Sequence, residues 1–210
     1  MIRIINYTSA NVLRLLASII FKLNPNFKVK LKMITFKIVE ANKTNIKMPN
    51  NLIHSLIIIE DKRYFYHFGI DTYSMFRAFI KNATTKKLEG ASTIVQQLIR
   101  NLTNDRKIKF SRKINEVLLA AIISNKFSKD ELLCAYLNTY KFNNCVGVAS
   151  LCLNENYNLA RLSNNEAAQI AARFKYPSIT KSNHIKYLKR VRTIEKKQHL
   201  TTHLPHEIKT

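Results

Sequence analysis

Ile57-Ile58-Ile59-Glu60-Asp61-Lys62-Arg63-Tyr64-Phe65-Tyr66-His67-Phe68-Gly69 runs from an apolar stretch into an acidic pair, an aromatic cluster, a histidine and a glycine. Upstream, Asn50 or Asn51 is placed to cap a helix whose buried side is Leu52, Leu56 and Ile59. Continued through the segment, that helix carries Glu60, Tyr64 and His67 on one stripe at i, i+4 and i+7. A carboxylate held at the edge of an apolar surface loses solvation and becomes a better proton acceptor, which suits general-base work. The alternative is a solvated helix end at which Glu60 pairs with a lysine or arginine.

The helical period recurs on both sides of this stretch. Val12, Leu15, Leu16, Ile19, Ile20 and Leu23 predict an amphipathic helix that either lies on a membrane surface or packs on the domain. Leu15 to Phe21 is bounded by Arg14 and Lys22 and falls short of the roughly 18 apolar residues a span needs, so no crossing is predicted. A small-residue signal cleavage site is also missing. From Phe27 to Val39, Lys28, Lys30 and Lys32 alternate with Val29, Leu31 and Met33, which predicts a basic strand or hairpin arm, and Ala41 to Asn50 reads as a polar linker. Past Gly69, Asp71 caps a helix with an apolar face of Met75, Phe76, Phe79 and Ile80, followed by a loop from Thr84 to Gly90.

Composition narrows the class. With 210 residues, 46% of them apolar, the chain can build a core for one domain with a small appendage. Three Gly and four Pro against long helical periodicities predict a mostly α fold and argue against a sandwich or a Rossmann sheet. Lys and Arg number 35 against 13 Asp and Glu, a balance of +22 that favours nucleic acid, an anionic membrane face or phosphorylated ligands. Cys134, Cys145 and Cys152 have neither zinc-ligand nor disulfide-framework spacing.

Further stretches carry chemistry-bearing residue types. In Gly90 to Asn101, Thr93 and Gln96 form a capping box, and the helix N-terminus with Ser92, Thr93 and Arg100 makes an anion seat. In Arg112 to Glu116, Arg112 and Glu116 share a face at i, i+4 while Ile114, Val117, Leu118, Ala121 and Ile122 define the buried stripe; on its own this is a surface ion pair. Ser128 to Glu131 and Ser163 to Glu166 are further capping boxes, and the basic tail carries Ile185, Leu188, Val191 and Ile194 at helical spacing.

In order and spacing, these stretches resemble the peptidoglycan glycosyltransferases (glycosyltransferase family 51). The resemblance runs from about Met48 to Pro177 and rests on Glu60 to Gly69, Gly90 to Asn101, Arg112 to Glu116, and Ser128 to Asn138 with its closing Tyr-Leu-Asn. It implies a lysozyme-like α-helical head with a small membrane-facing jaw: a region 1–47 with the amphipathic helix and basic strand, a transferase domain 48–178 whose jaw is about 70–89, and a basic helix and tail 179–210. The chain departs from the family's pattern at Tyr64, Arg100, Ser124, Asn143 to Cys145, and Ile108, which stands where the family places an arginine beside Arg106, Lys107 and Lys109. With neither anchor nor transpeptidase domain evident, it reads as a short, monofunctional member.

The resemblance also implies an activity: polymerisation of lipid II into β-1,4 glycan with inversion and release of undecaprenyl diphosphate. Glu60 and Glu116 are then the catalytic carboxylates, Glu60 as general base. Asp61, His67, Ser92, Thr93, Gln96, Gln97, Arg100, Lys109, Arg112 and Lys113 hold sugar and phosphates. No metal ligands are assigned, although Mg²⁺ or Mn²⁺ would assist a departing diphosphate. Implied partners are the lipid-linked precursor, an anionic membrane surface and cell-wall synthesis proteins, with nucleic acid set aside; the implied place is the outer face of the cytoplasmic membrane, held peripherally. Two other readings are a lysozyme-like hydrolase of the same strands and a non-catalytic basic binder of membrane or nucleic acid.

Overall fold

In a computed structural model of the chain, which describes residues 2–44, 46–85, 90–104 and 110–201, every regular element is a helix. The predicted mostly α class holds. The chain divides into two compact units, one of residues 1–45 and 63–139, the other of residues 46–62 and 140–210.

The first unit contains α1 (Ile2–Leu23), α2 (Pro25–Asn42), α4 (Thr72–Thr84), α5 (Ile94–Thr103), α6 (Phe110–Lys126) and α7 (Lys129–Thr139). The strand predicted at Phe27 to Val39 is instead α2. Asn24 accepts from the Phe27 N–H and Pro25 occupies the first turn, so Asn-Pro starts a helix here as well as ending one. The lysine alternation is overridden by the stripe Phe27, Leu31, Ile34, Ile38 and Ala41, all buried, and the Lys37 Nζ pins the helix by donating to the Leu102 carbonyl at 2.8 Å.

The first helix also corrects the sequence reading. Arg3–Lys22 is long and apolar enough to cross a membrane by length and composition, because one arginine interrupts the run without ending the helix. That arginine is engaged: Arg14 Nε donates to the Ala121 carbonyl at 3.0 Å, and the buried Asn6 accepts from the Thr72 N–H and hydroxyl at 3.1 and 2.8 Å. Ala10 and Ala17 let α1 lie close against the unit.

Asp71 caps α4 as expected, accepting from the Ser74 N–H at 3.0 Å. Gly69 has φ +82°, and a Cβ there would collide with the Ala120 carbonyl and Ser124 hydroxyl of α6, so the position needs glycine on both counts. The buried side of α6 is Leu118, Leu119, Ala120, Ala121 and Ile123, with Glu116 also 3% exposed; Ile114 is 43% exposed, so the predicted stripe was rotated. Ser128 and Glu131 form the reciprocal capping bonds at the start of α7.

The second unit contains α3 (Asn50–Glu60), α8 (Val148–Asn154), α9 (Asn164–Arg173) and α10 (His184–Thr201). Pro49, not Asn50 or Asn51, occupies the α3 N-cap; Asn51 instead donates to the Leu162 carbonyl at 2.6 Å. The helix ends at Glu60, and Tyr64–Tyr66 is a separate 3₁₀ turn in the first unit, so the predicted Glu60–Tyr64–His67 stripe does not form. Ser163 and Glu166 make a complete capping box on α9. Tyr187, Val191 and Ile194 of α10 pack with Ala168, Ala171 and Ala172 of α9 and with Ile59. Ile185 and Leu188 lie outside that core at 67% and 40% exposure, a shift of phase from the predicted apolar side. Polar closure comes from the buried Gln198, whose Nε2 donates to the Ser55 hydroxyl at 2.7 Å.

Candidate active site

Within the first unit the N-terminus of α5 and the first turns of α6 come together around Lys113. Its Nζ donates to Ser92 Oγ at 2.9 Å, Gln96 Oε1 at 2.9 Å and Glu116 Oε1 at 2.8 Å, and Arg112 Nη1 donates to Glu116 Oε2 at 2.7 Å. One ammonium thus ties the Ser92 hydroxyl just ahead of α5, an amide of α5 and a carboxylate of α6. Glu116 is no surface partner of Arg112: it is 3% exposed, and burial of a carboxylate is tolerated because each oxygen receives a cation.

The predicted capping box at Thr93 is half realised. Thr93 accepts from the Gln96 N–H, but the Gln96 carbonyl oxygen serves Lys113. The fully buried Gln96 keeps its Nε2 without a hydrogen-bond partner among the described residues, a donor set beside the cationic cluster. Thr93 Oγ1 donates to the Gly69 carbonyl at 2.7 Å, which joins the first motif to the second. Gln97 accepts from the Tyr136 hydroxyl at 2.8 Å and so fastens α5 to α7. His67 is 1% exposed, stands edge-on to Tyr64, and its carbonyl accepts from Lys129 Nζ at 2.6 Å. Beside the cluster a recess is lined by Lys30, Arg100, Arg112 and Glu116 over Ile99 and Leu119. Lys109, with Arg106, Lys107 and Ile108, lies outside the described residues.

In the second unit Glu60 is the last residue of α3, and its Oε1 accepts from Arg190 Nη2 on α10; the two side chains are 11% and 20% exposed. Glu60 is therefore paired with an arginine as in the alternative reading, but at a largely buried helix end and not a solvated one. Asp61 follows as the C-cap, 7% exposed. Lys197, also on α10, has its ammonium pKa held below the usual lysine value by burial first and then by the charges of Lys62 and Arg190. Glu60 sits amid a locally cationic set.

Both Glu116 oxygens are occupied by cations, and no group of three or more His, Cys, Asp or Glu converges among the described residues. What the first unit can do is hold an anion with guanidinium and ammonium groups. What the second can do is present an oriented carboxylate. Sequence reading missed Arg190 and Lys30: the first lay in a basic C-terminal helix to which no site residue was assigned, the second in a supposed strand.

A model described as Transglycosylase matches residues 32–200. Penicillin-binding protein 1A of Rickettsia bellii is 38% identical over 137 residues, 62% of this chain and 17% of that protein. Penicillin-binding protein 1A of Clostridium tetani is 38% identical over 118 residues, 52% of this chain and 15% of that one. Penicillin-binding protein 1B of Buchnera aphidicola subsp. Baizongia pistaciae is 46% identical over 93 residues, covering 43% and 12%. The match spans less than a fifth of each relative's length.

Proposed function

The chain belongs to the transglycosylase family of peptidoglycan glycosyltransferases, and on that premise we propose that it polymerises a lipid-linked disaccharide precursor into β-1,4 glycan with inversion. Glu60 takes the proton of the acceptor's 4-hydroxyl as that oxygen bonds to the donor's anomeric carbon. The bond from that carbon to the diphosphate breaks, and undecaprenyl diphosphate leaves with the bonding pair. Arg112, Lys113 and Arg100 receive the negative charge that accumulates on the diphosphate. Glu116 keeps Arg112 and Lys113 aimed. Because a diphosphate leaves as a stable anion, no second carboxylic acid is needed to protonate it, unlike in a glycoside hydrolase.

The observation that carries this reading is the Lys113 junction, in which Ser92, Gln96 and Glu116 are gathered by one ammonium. A hydrolase of finished strands has no diphosphate for such a cluster to hold. The substrate implies a membrane surface as the place of work, and the exposed apolar residues of α4, Phe76 and Phe79, face that surface in this reading.

Labelled lipid-linked precursor incubated with the full chain should yield polymer, and Glu60→Gln should lower turnover by about 10²–10⁴-fold. Shortening of pre-made strands without polymer would replace the transferase with a hydrolase. Undiminished polymerisation by the variant would remove Glu60 from the chemistry.

A further inference from the structure

The recess beside Glu116 holds more positive charge than its own residues neutralise. Lys30, Arg100 and Arg112 line it, and the carboxylate among them, Glu116, already accepts from both Arg112 and Lys113. Neither Lys30 nor Arg100 forms an ion pair among the described residues. Like charges gathered in one recess repel and oppose folding unless an anion joins them, so the arrangement fits a ligand with at least two negative charges.

Lys30 owes its place there to the phase of α2. The capped start at Asn24 turns Phe27, Leu31 and Ile34 inward, which leaves Lys30 half-buried at the edge of that stripe while Lys28 and Lys32 are exposed. Lys37, two turns on along the same side, donates to the Leu102 carbonyl and fixes α2 against the C-terminal end of α5, where Arg100 and Thr103 reach the recess. The ammonium is thus supplied by an element outside all four motifs.

We infer that Lys30 is a diphosphate-binding residue of this transferase, contributed by α2 to the recess formed with Arg100, Arg112 and Glu116. The inference rests on the proposed reading for its ligand class, and direct binding separates the two. Titrated with inorganic pyrophosphate, the full chain should bind it more tightly than inorganic phosphate. Lys30→Ala should weaken pyrophosphate binding about tenfold, equivalent to about 1.4 kcal/mol, and raise the KM for the lipid-linked precursor. Lys30→Arg should restore most of the affinity. Lys32→Ala, which removes the same charge from the exposed side of α2, should bind like the wild type. Equal losses in Lys30→Ala and Lys32→Ala, or no preference of the wild type for pyrophosphate, would overturn the inference. Glu60→Gln should bind pyrophosphate normally; polymerisation surviving in that variant would sink the base assignment while leaving the Lys30 result intact.

Discussion

At the scale of single residues, the partnership of Glu60 and Arg190 orients the carboxylate proposed above as the general base. A glutamate at a helix end has freely rotating torsions, and a guanidinium holding Oε1 removes most of that freedom before substrate arrives. The arginine side chain stands on a helix that packs on α9 and α3 through Tyr187, Val191 and Ile194, so the grip is rigid. Arg190→Ala should reduce kcat by roughly 10–100-fold, with little change in KM and a melting temperature near that of the wild type, as a positioning effect predicts. Arg190→Lys should recover part of kcat, since a point charge replaces a planar fork. Steady-state kinetics alongside calorimetry checks both. A kcat unchanged in Arg190→Ala would show that Glu60 needs no such support. Away from the site, burial first and then Glu155 and Glu166 push the Cys152 thiol up to about 11, and it should alkylate slowly in the native protein at pH 8 compared with the unfolded chain.

At the scale of elements, Asp71 organises the start of α4. Burial alone would raise its carboxyl pKa, but the Ser74 N–H and the Arg63 guanidinium, 2.8 Å away, together hold it below the ordinary value of 3.8. A group depressed on folding stabilises the native state fully above its unfolded pKa and loses that contribution as pH falls through the folded one. The difference in unfolding free energy between wild type and Asp71→Ala should therefore be largest above pH 5, about 1–2 kcal/mol for a lost cap and ion pair, and should shrink below the ordinary carboxylate value. Denaturant titrations at neutral and acid pH measure it; a difference that grew in acid would contradict the assignment. The same segment shows why Gly69 is glycine, since α6 passes too close for a side chain and the backbone has positive φ.

At the scale of the molecule, the charge of +22 and the exposed apolar residues point the same way. Phe76 and Phe79 of α4 are 66% and 72% exposed, and Ile4, Val12 and Leu15 of α1 are 59–67% exposed. Binding to vesicles containing anionic lipid should weaken as salt rises, because exposed charges are screened over about 8 Å at physiological ionic strength. Phe76→Ser with Phe79→Ser should weaken it further, on the order of 100-fold, if each ring contributes about 1.5 kcal/mol on leaving water. Sedimentation with vesicles reads both effects. Binding unaffected by the double substitution would mean that α4 does not enter the lipid.

Local chemistry was legible in the sequence. The helical class, the caps at Asp71, Ser128 and Ser163, and the i, i+4 pair of Arg112 and Glu116 depend on neighbours a few residues apart, where helix geometry alone decides which groups meet; the Glu60, Tyr64 and His67 stripe failed because the helix stops at Glu60. Tertiary packing decided the rest. Whether Glu116 is buried, which way α2 and α10 turn their lysines and arginines, and that Arg190 finds Glu60 across 130 positions of chain depend on distant surfaces fitting together. Alternation misled at α2 because a period of two and a period of 3.6 coincide over a few residues, and only the core that Phe27, Leu31, Ile34 and Ile38 enter distinguishes them.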